Sequence, residues 1–249
     1  MRRVEHVMGM PVSLVLRGRH ADDEAGEAAW QDALASLREA DRVFSTWRED
    51  SYISRLGREE IELGDCPPEV AEVLGLAEAA RLESDGAFDV RRVAADGTHV
   101  LDTDGVVKGW AVQRAAACLA ALEGTDYCLS AGGDMVCRVV DPDAEPWQVG
   151  IEDPRDPSRL IARIPVRDGA VATSGFAHRG AHIVDARTGQ VPSGVASVTV
   201  VAPDLTWADL DATSAFAMGD RALPWLRTRA GRVGLVVAAD GTAEVFGAA

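Results

Sequence analysis

The stretch SVTVVAPDLTWADLDATSAFAMG, residues Ser197–Gly219, contains one example of each element from which the fold is predicted to be built. Its first part, SVTVVAP, is rich in β-branched residues and predicts a strand. The second part, TWADLDATSAFAMG, predicts a helix that ends at Gly219, because glycine is the usual residue at a helix C-terminus. The run GLVVAAD follows as the next strand, so this helix lies between two strands.

Upstream of this stretch, from Val100 onward, short apolar runs separated by glycines predict further strands. These runs are YCLS, MVCRVV, WQVGIE, RLIARIPV, AVATS and AHIVDA. One buried helix, WAVQRAAACLAALEG, is predicted to end at Gly124. At the other end of the chain, Asp240–Gly241 predicts the turn of a final hairpin.

The first part of the chain is mainly helical. After a strand in VEHVMGMPVSLVLRG, a long amphipathic helix is predicted to begin at Asp22–Asp23. A short helix capped by Asp50 or Ser51 follows, and a second long helix begins at Pro67–Pro68. Together these elements predict an α+β fold: a single compact domain, residues 1–249, in which helices flank a mixed β-sheet.

The composition excludes several classes of partner. Of the 249 residues, 47% are hydrophobic, which is enough for a sizeable core. The formal net charge of -15 argues against nucleic acid and anionic membranes, since both would repel the protein. Polar residues interrupt the first apolar run, so the start lacks the pattern of a secretory signal or a lipid-acceptor cysteine, and we expect a cytoplasmic protein.

The cysteines do not form a recognisable framework. Cys66, Cys118, Cys128 and Cys137 show no C-x-x-C spacing, and Cys118 lies in an apolar helical pattern where a buried thiol is common. Free core cysteines are therefore favoured over a metal site or disulfides.

Lys108 is the only lysine among 25 basic residues, and it lies in LDTDGVVKGWAVQRAA. This segment predicts a strand, a glycine turn with Lys108 at the turn, and the start of a helix. Backbone N–H groups at a helix start, together with an ammonium group, suit a phosphate. The spacing matches no general nucleotide-binding motif, so a purely structural junction with a surface lysine is an equal alternative.

Asp209 and Thr213 are four residues apart on a predicted helix, so their oxygens share one face. A carboxylate beside a hydroxyl is the hard oxygen ligation that magnesium prefers when it also binds a phosphate. The alternative is that Asp209 only stabilises the first turn of its helix through the helix dipole.

Two other motifs each allow a functional and a structural interpretation. LSAGGD, with Gly132–Gly133, suits close approach of a ligand to the backbone, or any tight turn. His178 and His182 have helical spacing, but AHIVDA predicts a strand, so a zinc pair is not expected. His182, near Asp185, is a candidate for acid/base or hydrogen-bonding work, or a structural histidine.

Taken in order along nearly the whole chain, these motifs resemble the FAD:protein FMN transferase family, also called ApbE-like or the thiamine-biosynthesis lipoprotein family. FSTWREDSYISRLG is similar to the family's F-S-T-Y-x-x-D-S-x-I-S-R-L-N, and GAFDV to its G-A-F-D. LDTDGVVKGWAV resembles L-D-L-S-A-I-A-K-G-Y-A-V, and LSAGGD resembles V-N-A-G-G-D. HIVDARTG resembles H-I-I-D-P-R-T-G, and the opening stretch resembles S-V-T-V-I-A followed by A-D-A-L-A-T-A.

The resemblance implies a magnesium-dependent transfer of FMN from FAD to a threonine or serine hydroxyl of a target flavoprotein, with release of AMP. It implies metal ligation by Asp209, Thr213 and the carbonyl of Gly105, and it makes His182 the candidate that handles the proton of the nucleophile. By the same resemblance, the residues expected to contact FAD are Met8, Trp47, Ala87, Phe88, Asp89, Asp102, Lys108 and Ile183.

The sequence also departs from the family pattern. Only VRRVAADGTHV separates GAFD from LDTDG, where the family carries a longer segment that starts P-T-V-G-P-L, and Asp104 replaces a small residue. Two alternatives to the transferase follow: an FAD pyrophosphatase that gives FMN and AMP, or a flavin-binding module with weak catalysis. A nicotinamide dehydrogenase is disfavoured because the glycine fingerprint is missing.

Overall fold

A computed structural model of the chain describes residues 1–93, 97, 99–177, 180 and 182–247. Its strands are β1 (Arg2–Val7), β2 (Met10–Gly18), β3 (Arg91–Val93), β4 (His99–Leu101), β5 (Thr125–Ala131), β6 (Asp134–Arg138), β7 (Trp147–Asp153), β8 (Asp156–Val166), β9 (Asp168–Gly175), β10 (Val195–Ala202), β11 (Val233–Ala238) and β12 (Ala243–Phe246). Its helices are α1 (Glu24–Phe44), α2 (Tyr52–Gly57), α3 (Pro68–Glu83), α4 (Asp104–Ala120), α5 (Leu205–Ala217) and α6 (Ala222–Leu226). None of the helices in these described ranges has the length and apolar character needed to cross a bilayer.

Eight strands form one sheet in the order β1-β2-β5-β6-β9-β10-β11-β12. The α+β class is confirmed. Each pair of neighbouring described strands is antiparallel, whereas the sequence led us to expect a mixed sheet. The reason is visible at β10 and β11: after α5 the chain continues through α6 before it re-enters the sheet, so it returns antiparallel to β10.

The sheet separates two hydrophobic layers. On one face Leu14 of β2 and Leu210 of α5 are fully buried in the main core, which the helices cover. On the other face Cys137 of β6 packs with Val149 and Ile151 of β7, so the β7–β8 hairpin covers this side. Truncating a side chain such as Leu14 to alanine would cost about 2–5 kcal/mol, because the site cannot collapse around it.

The predicted first strand is a hairpin. β1 and β2 pair through the register Val7↔Met10, which leaves Met8 and Gly9 as a two-residue turn. Both residues have positive φ, 55° and 70°. This conformation is easy for glycine and unusual for methionine, and it turns the chain just before the β-branched alternation after Pro11, which is confirmed as part of β2.

The AHIVDA segment is not a strand where the structure describes it. Asp185 forms only an isolated bridge with Gln190. The N–H groups of Thr188 and Gly189 donate to the carbonyl of Asp185, and the Arg187 N–H donates to its carboxylate. These hydrogen bonds form a polar turn after Asp185. Backbone groups engaged in the turn cannot pair with a neighbouring strand, so the strand preference of Ile183 and Val184 is not realised.

Helix α4 begins earlier than the sequence indicates. Its first residue is Asp104, after Thr103 at the N-cap position. Lys108 therefore lies within the helix rather than in the turn before it. A helical Lys108 projects from a rigid element toward α5 and β6, where it meets its partners.

Candidate functional site

A cavity of about 390 Å³ opens between the start of α4, helix α5, the β5–β6 turn and the segment around His182. The side chains and backbone that the sequence nominated converge on it from distant parts of the chain. Those that line it are Ala87, Phe88, Asp89, Asp102, Gly105, Lys108, His182, Ile183, Asp209 and Thr213. A concave site with several convergent polar groups is the usual form of a small-molecule site.

Two predicted FAD contacts do not line this cavity. Met8 lies in the β1–β2 turn and is half-buried against the main core. Trp47 follows α1, and 91% of its surface is exposed. Its neighbour Thr46 donates a hydrogen bond of 3.3 Å to Asp104, which does line the cavity, so Trp47 lies near the cavity entrance.

Lys108 forms the centre of a buried ion cluster. Its Nζ atom lies 2.5 Å from Asp134 Oδ2 and 3.1 Å from Asp209 Oδ1. The second oxygen of Asp209 accepts the Gly109 N–H at 3.0 Å, and the second oxygen of Asp134 accepts the Thr173 N–H at 2.9 Å. Both carboxylates are therefore held by a backbone donor on one side and by one ammonium on the other.

Burial and charge compete in this cluster. Burial opposes the charged form of Lys108, but attraction to Asp209 and Asp134 outweighs it and raises the pKa of the ammonium, which stays protonated at neutral pH. Burial raises the pKa of Asp209 to about 6, although Lys108 pulls the other way. One cation shared by two carboxylates leaves a net negative charge when both are ionised, so the cluster can attract a further cation.

The three proposed metal ligands come together at one side of the cavity. Thr213 Oγ1 lies 3.0 Å from the hydroxyl of Ser174. A Cβ atom added to Gly105 would lie 3.8 Å from Thr213 Cγ2 and only 2.9 Å from the Phe88 ring, so this position needs glycine. Carboxylate, hydroxyl and carbonyl oxygens fit magnesium, which keeps several waters and meets a phosphate.

The described residues contain no cluster of three or more His, Cys, Asp or Glu side chains that could hold a metal. A magnesium ion would need only one carboxylate from the protein, because substrate oxygens and water can fill its other positions.

His182 lies at the exposed side of the cavity. Its Nδ1 atom is 2.9 Å from the Gly180 carbonyl, which can only accept, so this nitrogen carries the proton in the neutral ring and Nε2 is left as the base. Asp185, which is near His182 in the sequence, has a different partner. Arg187 holds that carboxylate at 2.8 Å and 2.5 Å and lowers its pKa. His178 lies outside the described residues.

Three residues of the site escaped the sequence analysis: a partner of Lys108 and two that line the cavity. Asp134 was noted only as the residue behind a glycine turn, yet it is the partner of Lys108. Arg92 of the short β3–β4 hairpin lines the cavity and pairs with Asp102. Ser197 of β10 lines it too, and its buried hydroxyl has no hydrogen-bond partner among the described residues. The alternation SVTV could have indicated that Ser197 and Thr199 share a face.

Comparisons with known proteins agree with this geometry. Residues 8–97 and 90–237 match the family model described as ApbE family. An FAD:protein FMN transferase from Haemophilus influenzae is 31% identical over 135 residues, 49% of this chain and 39% of the relative. One from Rhodobacter capsulatus is 32% identical over 196 residues, 72% of this chain and 36% of the relative. These matches span less than half the length of either relative.

Solved structures confirm the fold. The ApbE protein of Thermotoga maritima superposes with a TM-score of 0.85 at 23% identity, covering 99% of this chain and 96% of that chain. The flavin transferase ApbE from Vibrio cholerae gives a TM-score of 0.81 at 21% identity, with 99% and 96% covered.

Proposed function

Since the chain belongs to the ApbE family, we propose that it transfers FMN from FAD to a threonine or serine hydroxyl of a target flavoprotein and releases AMP. The observation that carries this proposal is the convergence of Lys108, Asp209, Thr213 and His182 on one cavity, although they come from three separate segments of the chain. In this reaction the hydroxyl oxygen bonds to the phosphorus next to riboflavin, the bond from that phosphorus to the bridging oxygen breaks, and AMP leaves with that oxygen.

The buried ion cluster would hold the diphosphate end of FAD. Asp209, Thr213 and the Gly105 carbonyl would bind magnesium, which when bound neutralises charge on the diphosphate. Lys108 would fix the position of Asp209 and add an ammonium to the same region. Because Asp209 is buried and Lys108 is held between two carboxylates, little reorganisation is needed as charge develops on the phosphate.

His182 would handle the proton of the acceptor. Its Nε2 lone pair is free for the acceptor hydroxyl, while the bond from Nδ1 to the Gly180 carbonyl keeps the ring in the tautomer that a base requires. The exposed position of His182 suits a macromolecular acceptor, because a protein hydroxyl has to reach the cavity from outside.

Charge balance supports a cation-dependent reaction. The acidic side chains that line the cavity include Asp89, Asp102, Asp104 and Asp209, against the basic Lys108 and Arg92. FAD brings further negative charge. We therefore expect that FAD binds only with a divalent cation. We also expect Arg92 to leave its ion pair with Asp102 and to pair with the bound FAD instead.

The test is to incubate the purified chain with FAD and magnesium, with and without cell extract, and to measure AMP together with flavin emission from protein bands on a denaturing gel. AMP with an emitting band supports the transferase. AMP with free FMN instead favours the pyrophosphatase, and bound FAD without AMP favours the flavin-binding module.

The variant His182→Gln separates the proton-transfer role from binding. General base catalysis contributes about 100-fold or more, so AMP release should fall by at least that factor while the Kd for FAD changes less than about twofold. Since His182 is exposed, the fold should be unaffected. Unchanged AMP release would show that another group takes the proton.

A further inference from the structure

Two cysteines that the proposed reaction does not use face each other across the β5–β6 hairpin. Gly132 and Gly133 form the turn, with φ of 58° and 97°. The register that follows pairs Cys128 with Cys137, four residues from the turn on either side. Their sulfur atoms are 3.5 Å apart.

The backbone allows this pair to be joined. Facing residues on antiparallel strands have Cα atoms about 4.5–5.5 Å apart, within the about 4.4–6.8 Å that a disulfide spans. The residue opposite Cys137 on the next strand is Gly169, so no side chain of that residue competes with the cysteine on this side. The sulfur atoms need to approach by about 1.5 Å to reach the bond length of about 2.05 Å, which side-chain rotation can supply.

The two thiols differ in character. The hydrogen bond from Cys137 lowers the pKa of the Cys128 thiol, against the effect of burial, and the Arg17 charge lowers it further. The same hydrogen bond and burial raise the pKa of Cys137. Arg17 stacks over Trp147, 3.7 Å from the ring centre, and its buried Nε has no hydrogen-bond partner among the described residues. Cys128 is thus the sulfur that ionises, beside a fixed cation.

We propose that Cys128 and Cys137 form a reversible redox site, oxidised by a hydroperoxide to a disulfide across the β5–β6 hairpin. The Cys128 thiolate attacks the peroxide, which leaves as an alcohol or as water, and Cys128 becomes a sulfenic acid. The Cys137 thiol then attacks that sulfur and water leaves. Two thiols lose two hydrogens in total, and a dithiol reductant restores them.

The pair lies beside the wall of the cavity. Met135, two residues before Cys137 on the same face of β6, lines the cavity. Val149 and Ile151 pack in one cluster with Cys137 and also line the cavity. Oxidation would therefore fix the strand that carries part of this wall. The proposal does not depend on FMN transfer, because the thiols are outside the groups assigned to that reaction.

The experiment treats the folded full chain with hydrogen peroxide, alkylates the remaining thiols in denaturant, where all of them are accessible, and measures mass with and without prior reduction. Cys66 and Cys118 serve as internal controls, since burial raises the pKa of both. Cleavage before aspartate separates Cys128, in residues 126–133, from Cys137, in residues 134–140. We expect these two peptides to be linked, about 2 Da lighter than their sum, and released by dithiothreitol, while Cys66 and Cys118 are fully alkylated.

Variants test the order of the steps. Cys137→Ser should leave a sulfenic acid on Cys128 that dimedone traps, and Cys128→Ser should leave Cys137 alkylatable and unlinked. The double variant Cys66→Ser, Cys118→Ser should link as the wild type does. Full alkylation of Cys128 and Cys137 in the wild type after peroxide treatment, or linkage that involves Cys66 or Cys118 to the same extent, would overturn the proposal.

Discussion

At the scale of single residues, Asp209 and Asp211 show how position on one helix divides function from stability. Asp209 faces the cavity and Lys108. Asp211, two residues later, faces the opposite side and pairs with Arg229 at 2.9 Å and Arg232 at 2.7 Å. Both carboxylates are buried, so burial alone does not identify the functional one. The distinction comes from what each carboxylate contacts.

This difference predicts opposite results for two matched variants. Asp209→Asn removes the proposed metal ligand and should lower AMP release at least about 100-fold, with little change in stability because Lys108 keeps Asp134. Asp211→Asn leaves Arg232 without its carboxylate and Arg229 with Glu83 alone, so it should cost about 3–5 kcal/mol of unfolding free energy, with activity per folded molecule retained. Chemical denaturation and AMP release check both, and an active Asp209→Asn would contradict the assignment.

Ser197 offers a second test at this scale. A buried hydroxyl without a partner costs free energy unless a ligand satisfies it, so Ser197→Ala should not lower the Tm of the ligand-free protein. We expect bound FAD to form a hydrogen bond with the Ser197 hydroxyl, so the Kd of the Ser197→Ala variant for FAD should rise about fivefold, which corresponds to about 1 kcal/mol. Thr199→Val is the matched control, since that hydroxyl is already bonded to Thr173 at 2.9 Å. A lower Tm with unchanged FAD affinity would mean that Ser197 is structural.

At the scale of elements, the sequence predicts that a helix or strand exists better than it predicts where that element begins or which distant side chains it contacts. The helix starts predicted at Asp22–Asp23, at Asp50 or Ser51 and at Pro67–Pro68 are confirmed, with Asp23 and Ser51 as the N-cap residues, because these signals are local. The start of α4 was placed too late, since Asp104-Gly105 looks like a turn in the sequence, whereas the Thr103 carbonyl accepts the N–H groups of Val106 and Val107 and begins the helix there. Asp134 escaped because its partner is distant in sequence, and ion pairing cannot be read from spacing.

The cysteine pair is a case where the sequence contained a signal that spacing rules overlook. Cys128 and Cys137 are symmetric about Gly132–Gly133, so a two-residue turn places them opposite each other. A search for C-x-x-C misses this arrangement, because it assumes that the ligands lie on one short loop. The pair is found by counting residues outward from Gly132–Gly133 in both directions, since residues at equal distance from a two-residue turn lie opposite each other.

The β7–β8 hairpin should be less stable than the eight-stranded sheet that it covers. It is a two-stranded sheet, and most of β8 is exposed, whereas β5 lies within the eight-stranded sheet. Two strands alone are marginally stable, so local opening is expected to cost less than global unfolding. Amide hydrogen exchange should be faster in β7 and β8 than in β5 and β10. Equal protection in all four strands would contradict this ranking.

At the scale of the whole molecule, net charge governs how FAD arrives. The formal charge of -15 repels an anionic nucleotide at long range. Salt screens this repulsion beyond about 10 Å at 0.1 M, while the contacts inside the cavity are shielded less. At a fixed magnesium concentration, the association rate of FAD should therefore rise severalfold between low and moderate salt. Stopped-flow measurement of flavin emission checks this, and a rate that falls with salt would indicate attractive steering.

The scarcity of lysine has a practical consequence. The one lysine side chain in 249 residues is engaged by two carboxylates, and its raised pKa keeps it protonated. Active esters and aldehydes react with neutral amines, so they should leave Lys108 unmodified in the folded protein. Amine-reactive cross-linkers would then miss association through Lys108, and the α-amino group of Met1 would be the amine left to react with them. Conversely, acylation of Lys108 would mark molecules in which the core around the cavity has opened.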